Sequence, residues 1–329
     1  MPLAERALIA NIRRAIGLRQ GKMPVAGAGS VIAGIGDDCA VLRIPPGSDT
    51  LVTTDFSLEG IHFRRDWHPP ESVGHRCLAR GLSDIAAMGG NPVAVFLSLA
   101  LPEDLPQSWV DRFMKGLIRL ARRFGATVAG GDTAQSPEGV LADIVVVGAA
   151  PKGKAIMRSG ARPGDAIYVS GKLGGSAAAV MEMQAGHKKT VTPKTYGRHF
   201  FPEPRIELGR ILREKQWATA MIDTSDGLSV DLAHICHESG VGADVEAEAV
   251  PLSAVGKPTH EVDRNLALHG GEDYELLFTA RPDKRIPSTI AGVSITRIGY
   301  IKRRKRIFLI NRDGGGAELL PLGWEHFRK

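Results

Sequence analysis

The apolar positions of this 329-residue chain fall into short blocks whose spacing alternates between the period of a helix and that of a strand. Near the start, Leu8, Ile9, Ile12 and Ile16 predict one apolar helix face within residues 1–17. Strand-like stretches at 40–44 and 51–54 flank Pro45-Pro46-Gly47-Ser48-Asp49, whose turn chemistry predicts a hairpin. A helix over 70–88 follows, then a strand at 93–101, a helix over 106–124, a short strand at 126–129 and a strand at 141–149. Strands and helices in this order predict a mixed α and β layer arrangement.

The stretch 151–165 is rich in Gly, Pro and basic residues and reads as the connection between two domains, 1–150 and 151–329. The second domain is predicted to hold a strand at 166–170, helices over 174–183, 205–214 and 228–238, and strands at 218–222, 243–250, 274–279 and 294–301, with a loop at 186–204.

Composition adds little until charge is placed. The chain is 43% hydrophobic, enough for buried cores, and carries a net charge of +6. Only Lys302-Arg303-Arg304-Lys305-Arg306 concentrates that charge, and its position between two strand-like stretches predicts a solvated hairpin tip rather than a nucleic-acid patch. Three widely spaced cysteines, Cys39, Cys77 and Cys236, fit neither a disulfide framework nor a zinc ribbon, and suit a reducing cytoplasm. Glu5, Arg6, Arg13 and Arg14 break up the N-terminal apolar residues, so no signal peptide is expected. No later run approaches the ~20 apolar residues of a membrane span.

Acid is the chemistry that recurs. Carboxylates stand beside glycines or at the ends of apolar runs in Gly36-Asp37-Asp38, Thr53-Thr54-Asp55, Leu82-Ser83-Asp84, Gly130-Gly131-Asp132-Thr133, Asp223-Thr224-Ser225-Asp226-Gly227 and Gly270-Gly271-Glu272-Asp273. Val73, Cys77, Gly81, Asp84 and Met88 share one stripe of a helix, so Asp84 is expected on a buried face, where it needs an arginine, backbone donors or a metal. Asp223 and Asp226 are expected at the carboxyl end of a strand, where α/β folds place ligands, although Asp226 taken alone suits a helix N-cap. The Gly130-Gly131 pair would let backbone amides approach a phosphate, or simply make a turn. Recurrence favours divalent cations bridging these carboxylates to a polyphosphate, since hard oxygens are what magnesium selects. Neither a Walker loop nor a protein-kinase motif set is present.

Taken in order, GIGDDCAVL (34–42), TTDFSLEGIHF (53–63), LSDIAAMGGNP (82–92), GGDT (130–133), MRSGARPGD (157–165), IDTSDGLSVDLAHI (222–235) and GGEDYELLFT (270–279) resemble the thiamine-monophosphate kinases. These belong to a superfamily that also contains aminoimidazole ribonucleotide synthetase, selenophosphate synthetase and the hydrogenase-maturation protein HypE. The resemblance implies a PurM-like fold, with an α+β N-terminal ATP- and magnesium-binding domain that dimerises through its mixed sheet, and an α/β C-terminal domain. It implies magnesium ligation by Asp38, Thr53, Thr54, Asp55, Asp84, Asp132, Asp223 and Asp226, with Asp55, Asp84, Asp132 and Asp223 central to catalysis. ATP contacts are implied for Gly131, Asp132, Arg158 and Ser225, and thiamine-phosphate contacts for His62, Glu272 and Trp324. The chain departs from the usual family pattern at Phe56-Ser57 and at Arg80-Gly81, and has Leu173-Gly174-Gly175-Ser176 where many members have Leu-Gly-Asp-Ser.

The expected activity is therefore ATP- and magnesium-dependent phosphorylation of thiamine monophosphate to thiamine diphosphate, in a cytoplasmic homodimer without nucleic-acid or membrane partners. The alternatives are another PurM-like ATP-dependent enzyme, of the aminoimidazole ribonucleotide synthetase or HypE type, and, more remotely, a basic nucleic-acid-binding protein.

Overall fold

A computed structural model describes residues 1–17, 30–35 and 38–327. They form two compact units, one of Met1–Ile85 with Gly90–Gly153, the other of Ala86–Gly89 with Lys154–Lys329.

The first unit contains α1 (Glu5–Ala15), β1 (Val31–Ala33), β2 (Val41–Leu42), β3 (Ser48–Leu58), α2 (Pro70–Ala87), β4 (Asn91–Pro102), α3 (Gln107–Arg123), β5 (Thr127–Ser136) and β6 (Leu141–Pro151). Its four-stranded sheet runs β3-β6-β4-β5, with β4 and β5 parallel and the other pairs antiparallel. The hairpin expected from 40–44 and 51–54 does not form. Instead β2 pairs with β1, and β3 pairs along its whole length with β6, from Ser48 opposite Pro151 to Leu58 opposite Leu141. Arg43 still donates its N–H to the Ser30 carbonyl at 2.6 Å, but Pro45 and Pro46 have no amide hydrogen with which the chain could carry a ladder on into a hairpin with β3.

Helix α2 lies against the sheet face that carries Thr53, Ile144 and Val146. A Cβ on Gly81 would come within 2.6 Å of Val146 and 3.6 Å of Thr53. Helices α2 and α3 meet at backbone distance, because a Cβ on Gly74 would lie 2.0 Å from the Phe113 carbonyl oxygen and one on Gly116 equally close to that of Glu71. On the opposite sheet face the β1 and β2 segments contribute Val31 and Leu42 to a cluster with Val93, Ala94, Val147 and Ala149. The same face of β3 leaves Val52 66% and Phe56 55% exposed.

The second unit contains β7 (Ala166–Ser170), α4 (Gly175–Gln184), α5 (Gly197–Phe200), α6 (Ile206–Glu214), β8 (Ala220–Asp223), α7 (Leu228–Ser239), β9 (Gly242–Glu246), β10 (Ala254–Val255), β11 (His260–Glu261), α8 (Arg264–His269), β12 (Leu276–Ala280), β13 (Thr289–Ile290), β14 (Val293–Lys302), β15 (Ile307–Ile310) and β16 (Gly316–Glu318). Its main sheet runs β16-β15-β9-β14-β7-β12-β8, with β13 added to β14. The core packs β7, β8, β9 and β12 against α7 and α8 through Ile167, Ile222, Val245, Leu277, Leu228, Leu232, Ile235 and Leu268.

The basic run at 302–306 is not a hairpin tip, because β14 and β15 lie on either side of β9 rather than beside each other. The run crosses the start of β9 at Gly242, where a Cβ would stand 2.1 Å from the Arg304 carbonyl oxygen. Asp244 pairs with both Lys302 and Arg304, and Arg306 with Glu318, so three of the five cations are matched by acid from neighbouring strands.

Candidate active site

The residues singled out by sequence gather at three places, two in the first unit and one in the second.

The first is the contact of β3 with α2. Strand alternation puts Thr53, Asp55 and Ser57 on the face toward α2, and the close approach at Gly81 brings Asp84 over Thr53. The Thr53 hydroxyl donates to Asp84 Oδ2, and Asp84 is half-buried rather than fully enclosed. One turn before Gly81, the Cys77 thiol is pushed up to about 12, chiefly by burial, against the opposing effect of a hydrogen bond with Ser57. Arg80 is buried and donates from Nη1 to the Phe56 carbonyl oxygen at 2.8 Å. Thr54 faces the other way, and its hydroxyl donates to Asp143 Oδ1 at 2.8 Å. Sequence neighbours Thr53 and Thr54 therefore present their hydroxyls to opposite sides of the sheet. His62 closes the turn after β3, where its Nδ1 accepts the Leu58 N–H at 3.0 Å and its own N–H donates to the Leu58 carbonyl at 2.9 Å.

The second is a cavity of about 640 Å³ beside β5, with apolar walls from Ile9, Ile12, Leu97 and Met114 and an acidic rim from Asp38 and Asp132. Gly36 and Asp37 lie outside the described residues. Gly130-Gly131-Asp132-Thr133 is not at a strand end, as sequence suggested, but inside β5 at a register shift against β4. Its glycines are set by the sheet: a Cβ on Gly130 would lie 2.7 Å from the Phe96 ring, and one on Gly131, at φ 146°, only 1.8 Å from the Leu97 carbonyl oxygen. Asp132 is exposed and takes the Thr133 N–H on Oδ1 at 2.8 Å.

The third is the loop after β8. Asp223 is the last strand residue and is buried, while Ser225 and Asp226 are half-buried. The N-cap of α7 is Gly227, with no side-chain cap, so Asp226 does not fill the capping role. Three successive carbonyls of this loop accept N–H donors from distant segments: Thr224 from Tyr274 at 2.9 Å, Ser225 from Glu272 at 2.8 Å, and Asp226 from Trp324 at 2.9 Å. Glu272 and Tyr274 adopt left-handed backbone, φ 67° and 52°, a conformation that costs a non-glycine residue on the order of 1 kcal/mol and persists where surrounding bonds enforce it. The indole of Trp324 is exposed. Arg158 is also exposed, and its carbonyl accepts the Ser239 hydroxyl at 3.3 Å, at the end of α7 opposite Asp226.

Sequence reading missed Asp231. Its buried carboxylate takes the Gly227 N–H on Oδ2 at 3.1 Å, and its pKa is raised well above the ordinary value by burial first and then by the negative charges of Asp223 and Asp226. The signal was available, because an acid between Leu228, Leu232 and Ile235 on the buried helix face requires a partner. Among the described residues, no group of three or more His, Cys, Asp or Glu side chains is arranged to hold a metal, and no helix is long and apolar enough to cross a membrane.

Residues 36–163 match the family described as AIR synthase related protein, N-terminal domain, and residues 162–310 match its C-terminal domain. A thiamine-monophosphate kinase from Salmonella typhimurium is 39% identical over 308 residues, covering 90% of this chain and 92% of the relative. The chain belongs to the thiamine-monophosphate kinase family. Among solved structures, the family member from Stenotrophomonas maltophilia superposes with a TM-score of 0.80 at 35% identity, over 96% of this chain and 99% of that one. A second, AaThiL complexed with AMPPCP and TMP, gives 0.74 at 31% identity over 99% of both chains. The PurM-like two-domain fold of the thiamine-monophosphate kinases is thus the fold of this chain.

Proposed function

We infer that this chain is a phosphotransferase of thiamine biosynthesis, which uses ATP to phosphorylate thiamine monophosphate to thiamine diphosphate by direct in-line transfer of the γ-phosphoryl group. The observation that carries the reading is the loop after β8. There the Ser225 carbonyl accepts the Glu272 N–H at 2.8 Å and the Asp226 carbonyl accepts the Trp324 N–H at 2.9 Å, which ties residues read as nucleotide (Ser225) and metal (Asp226) contacts to the two read as acceptor contacts, directly after Asp223.

The donor set fits magnesium by type, since Asp38, Thr53, Thr54, Asp55, Asp84, Asp132, Asp223 and Asp226 offer only hard oxygens. Because no cluster is preassembled among the described residues, these carboxylates would hold the ion together with phosphate oxygens and water rather than in a closed protein cage. Bound there, magnesium would supply neutralisation of the charge that two anionic substrates bring together. The Thr53–Asp84 hydrogen bond fixes one donor before substrate arrives, which lowers the ordering cost at the reacting centre. The cavity beside β5 is of a size for a small ligand, and its apolar walls suit a nucleotide base, with Gly131 and Asp132 lining it; Arg158 and Ser225 are further nucleotide contacts that rest on the family resemblance alone. His62 and Glu272 serve the acceptor, and the exposed Trp324 face offers a stacking surface for its cationic ring. The attacking group is already a phosphate oxygen, so no general base is required.

A homodimer formed through the sheet of a domain spanning 1–150 is supported by the outward face of β3, where Val52 and Phe56 are exposed. A cytoplasmic location agrees with three free thiols. The deciding experiment follows diphosphate formation from ATP with thiamine monophosphate and with unphosphorylated thiamine, for wild type and Asp55→Asn. The expected result is turnover of the monophosphate alone, reduced roughly 10²-fold in the variant. Absence of turnover, or a variant as fast as wild type, refutes the reading.

A further inference from the structure

Trp324 can serve the acceptor only if the chain end that carries it is held in place. In the structure its own N–H donates to the Asp226 carbonyl, and the residue before it, Gly323, fits so tightly that an added Cβ would lie 2.1 Å from that same oxygen and 2.8 Å from Val230 Cγ2. Gly323 is not in the left-handed region, so an alanine could adopt its backbone. What excludes a side chain is space alone, and the neighbour in the way is the backbone of the loop that carries Asp223, Ser225 and Asp226. Beyond β16, Leu319 is buried in the core, but Leu320 and Leu322 are each 52% exposed, so after Leu319 little apolar burial is available to seat the residues that lead to Trp324.

We propose that Gly323 is a positioning residue for acceptor binding: its missing side chain lets the C-terminal segment close onto the Asp226 carbonyl and sets the Trp324 indole beside the metal- and nucleotide-bearing loop. The inference rests on the reading above that Trp324 contacts the acceptor. A methyl group at 323 pushes the segment off the loop and breaks the Trp324 hydrogen bond, while the Asp223, Ser225 and Asp226 side chains stay where β8 and α7 hold them. The loss therefore falls on the acceptor and not on the nucleotide.

The test compares full-length wild type, Gly323→Ala, Trp324→Ala and the double variant, reading KM for thiamine monophosphate, KM for ATP, kcat, thermal midpoint and hydrogen exchange at the Trp324 amide. Gly323→Ala is expected to raise acceptor KM about tenfold, the scale of one lost stacking contact, with ATP KM within twofold of wild type and faster exchange at Trp324. Trp324→Ala should show the same split, and the double variant should be no worse than Trp324→Ala alone. If Trp324→Ala raises acceptor KM and Gly323→Ala does not, the inference falls and the reading of Trp324 stands. If Trp324→Ala leaves acceptor KM unchanged, the reading falls and takes the inference with it. A Gly323→Ala protein with a lowered thermal midpoint and equal losses for both substrates shows a merely structural role and overturns the proposal.

Discussion

Replacing Arg205 with methionine isolates the ion pair that anchors the strand leading away from Glu272. Arg205 and Glu275 are both buried, with side-chain exposures of 6% and 4%. Arg205 Nε donates to Glu275 Oε2 at 2.7 Å, Nη2 donates to Oε1, and the Ser170 hydroxyl adds a bond to Oε2 at 2.5 Å. Methionine fills comparable volume but supplies no donor, so Glu275 is left as a buried carboxylate with Ser170 as its remaining side-chain partner. Breaking one side of such a pair costs about 3–5 kcal/mol, a large share of the roughly 5–15 kcal/mol that holds an ordinary domain together. In the Arg205→Met background, Glu275→Gln removes the stranded charge and keeps the Ser170 bond, so the double variant should recover most of the loss. Urea unfolding of the four proteins gives the cycle, and exchange of the β7 and β12 amides locates it in the second unit. A single variant within about 1 kcal/mol of wild type, or a double variant whose loss is the sum of the singles, refutes the account.

Two further outcomes are expected. The Asp273 carboxyl, which receives the Gly174 and Ser176 N–H groups, is pushed up to about 7 by burial. An acid raised in the folded state binds its proton more tightly there than when unfolded, so its contribution is full below the ordinary 3.8 and is lost as pH rises through about 7. Asp273→Asn should flatten the fall of the denaturant midpoint between those limits, and equal slopes for both proteins would contradict the cause given. Burial likewise holds the Cys77 and Cys236 thiols at about 12 while Cys39 is exposed, so a thiol reagent near pH 8 should titrate one group rapidly in the native protein and three in denaturant. Fast modification of more than one native thiol would show that α2 and α7 do not shield Cys77 and Cys236.

Much of this architecture was legible from the spacing of apolar residues. The helices over 70–88, 106–124 and 228–238 stand within two residues of where periodicity put them, because each buries a continuous face. Pairing was less legible. A turn signal at Pro45-Pro46-Gly47 says that the chain bends, but β3 found its eleven-residue partner in β6, some ninety positions away, and nothing local to 40–54 encodes that choice. The same holds for 302–306, whose flanking strands are neighbours of β9 and not of each other. At the site, the Thr53–Asp84 contact could be anticipated from the stripe containing Gly81. The Trp324 amide on Asp226 could not, since the residues between them carry no periodic signal that points back to the loop.

A strand repeats every two residues, and β3 uses that period to divide its labour. Positions 53, 55 and 57 face α2, while 52, 54 and 56 face the far side of the sheet. Sequence drift at the exposed apolar positions 52 and 56 can thus retune stickiness or solubility without touching the inner register, while Thr54, bonded to Asp143, is the outer position that carries a polar group. The aromatic at position 56, conspicuous against the usual family pattern, sits in the outer register and is 55% exposed, so its side chain changes the coat of the sheet and not the face toward α2.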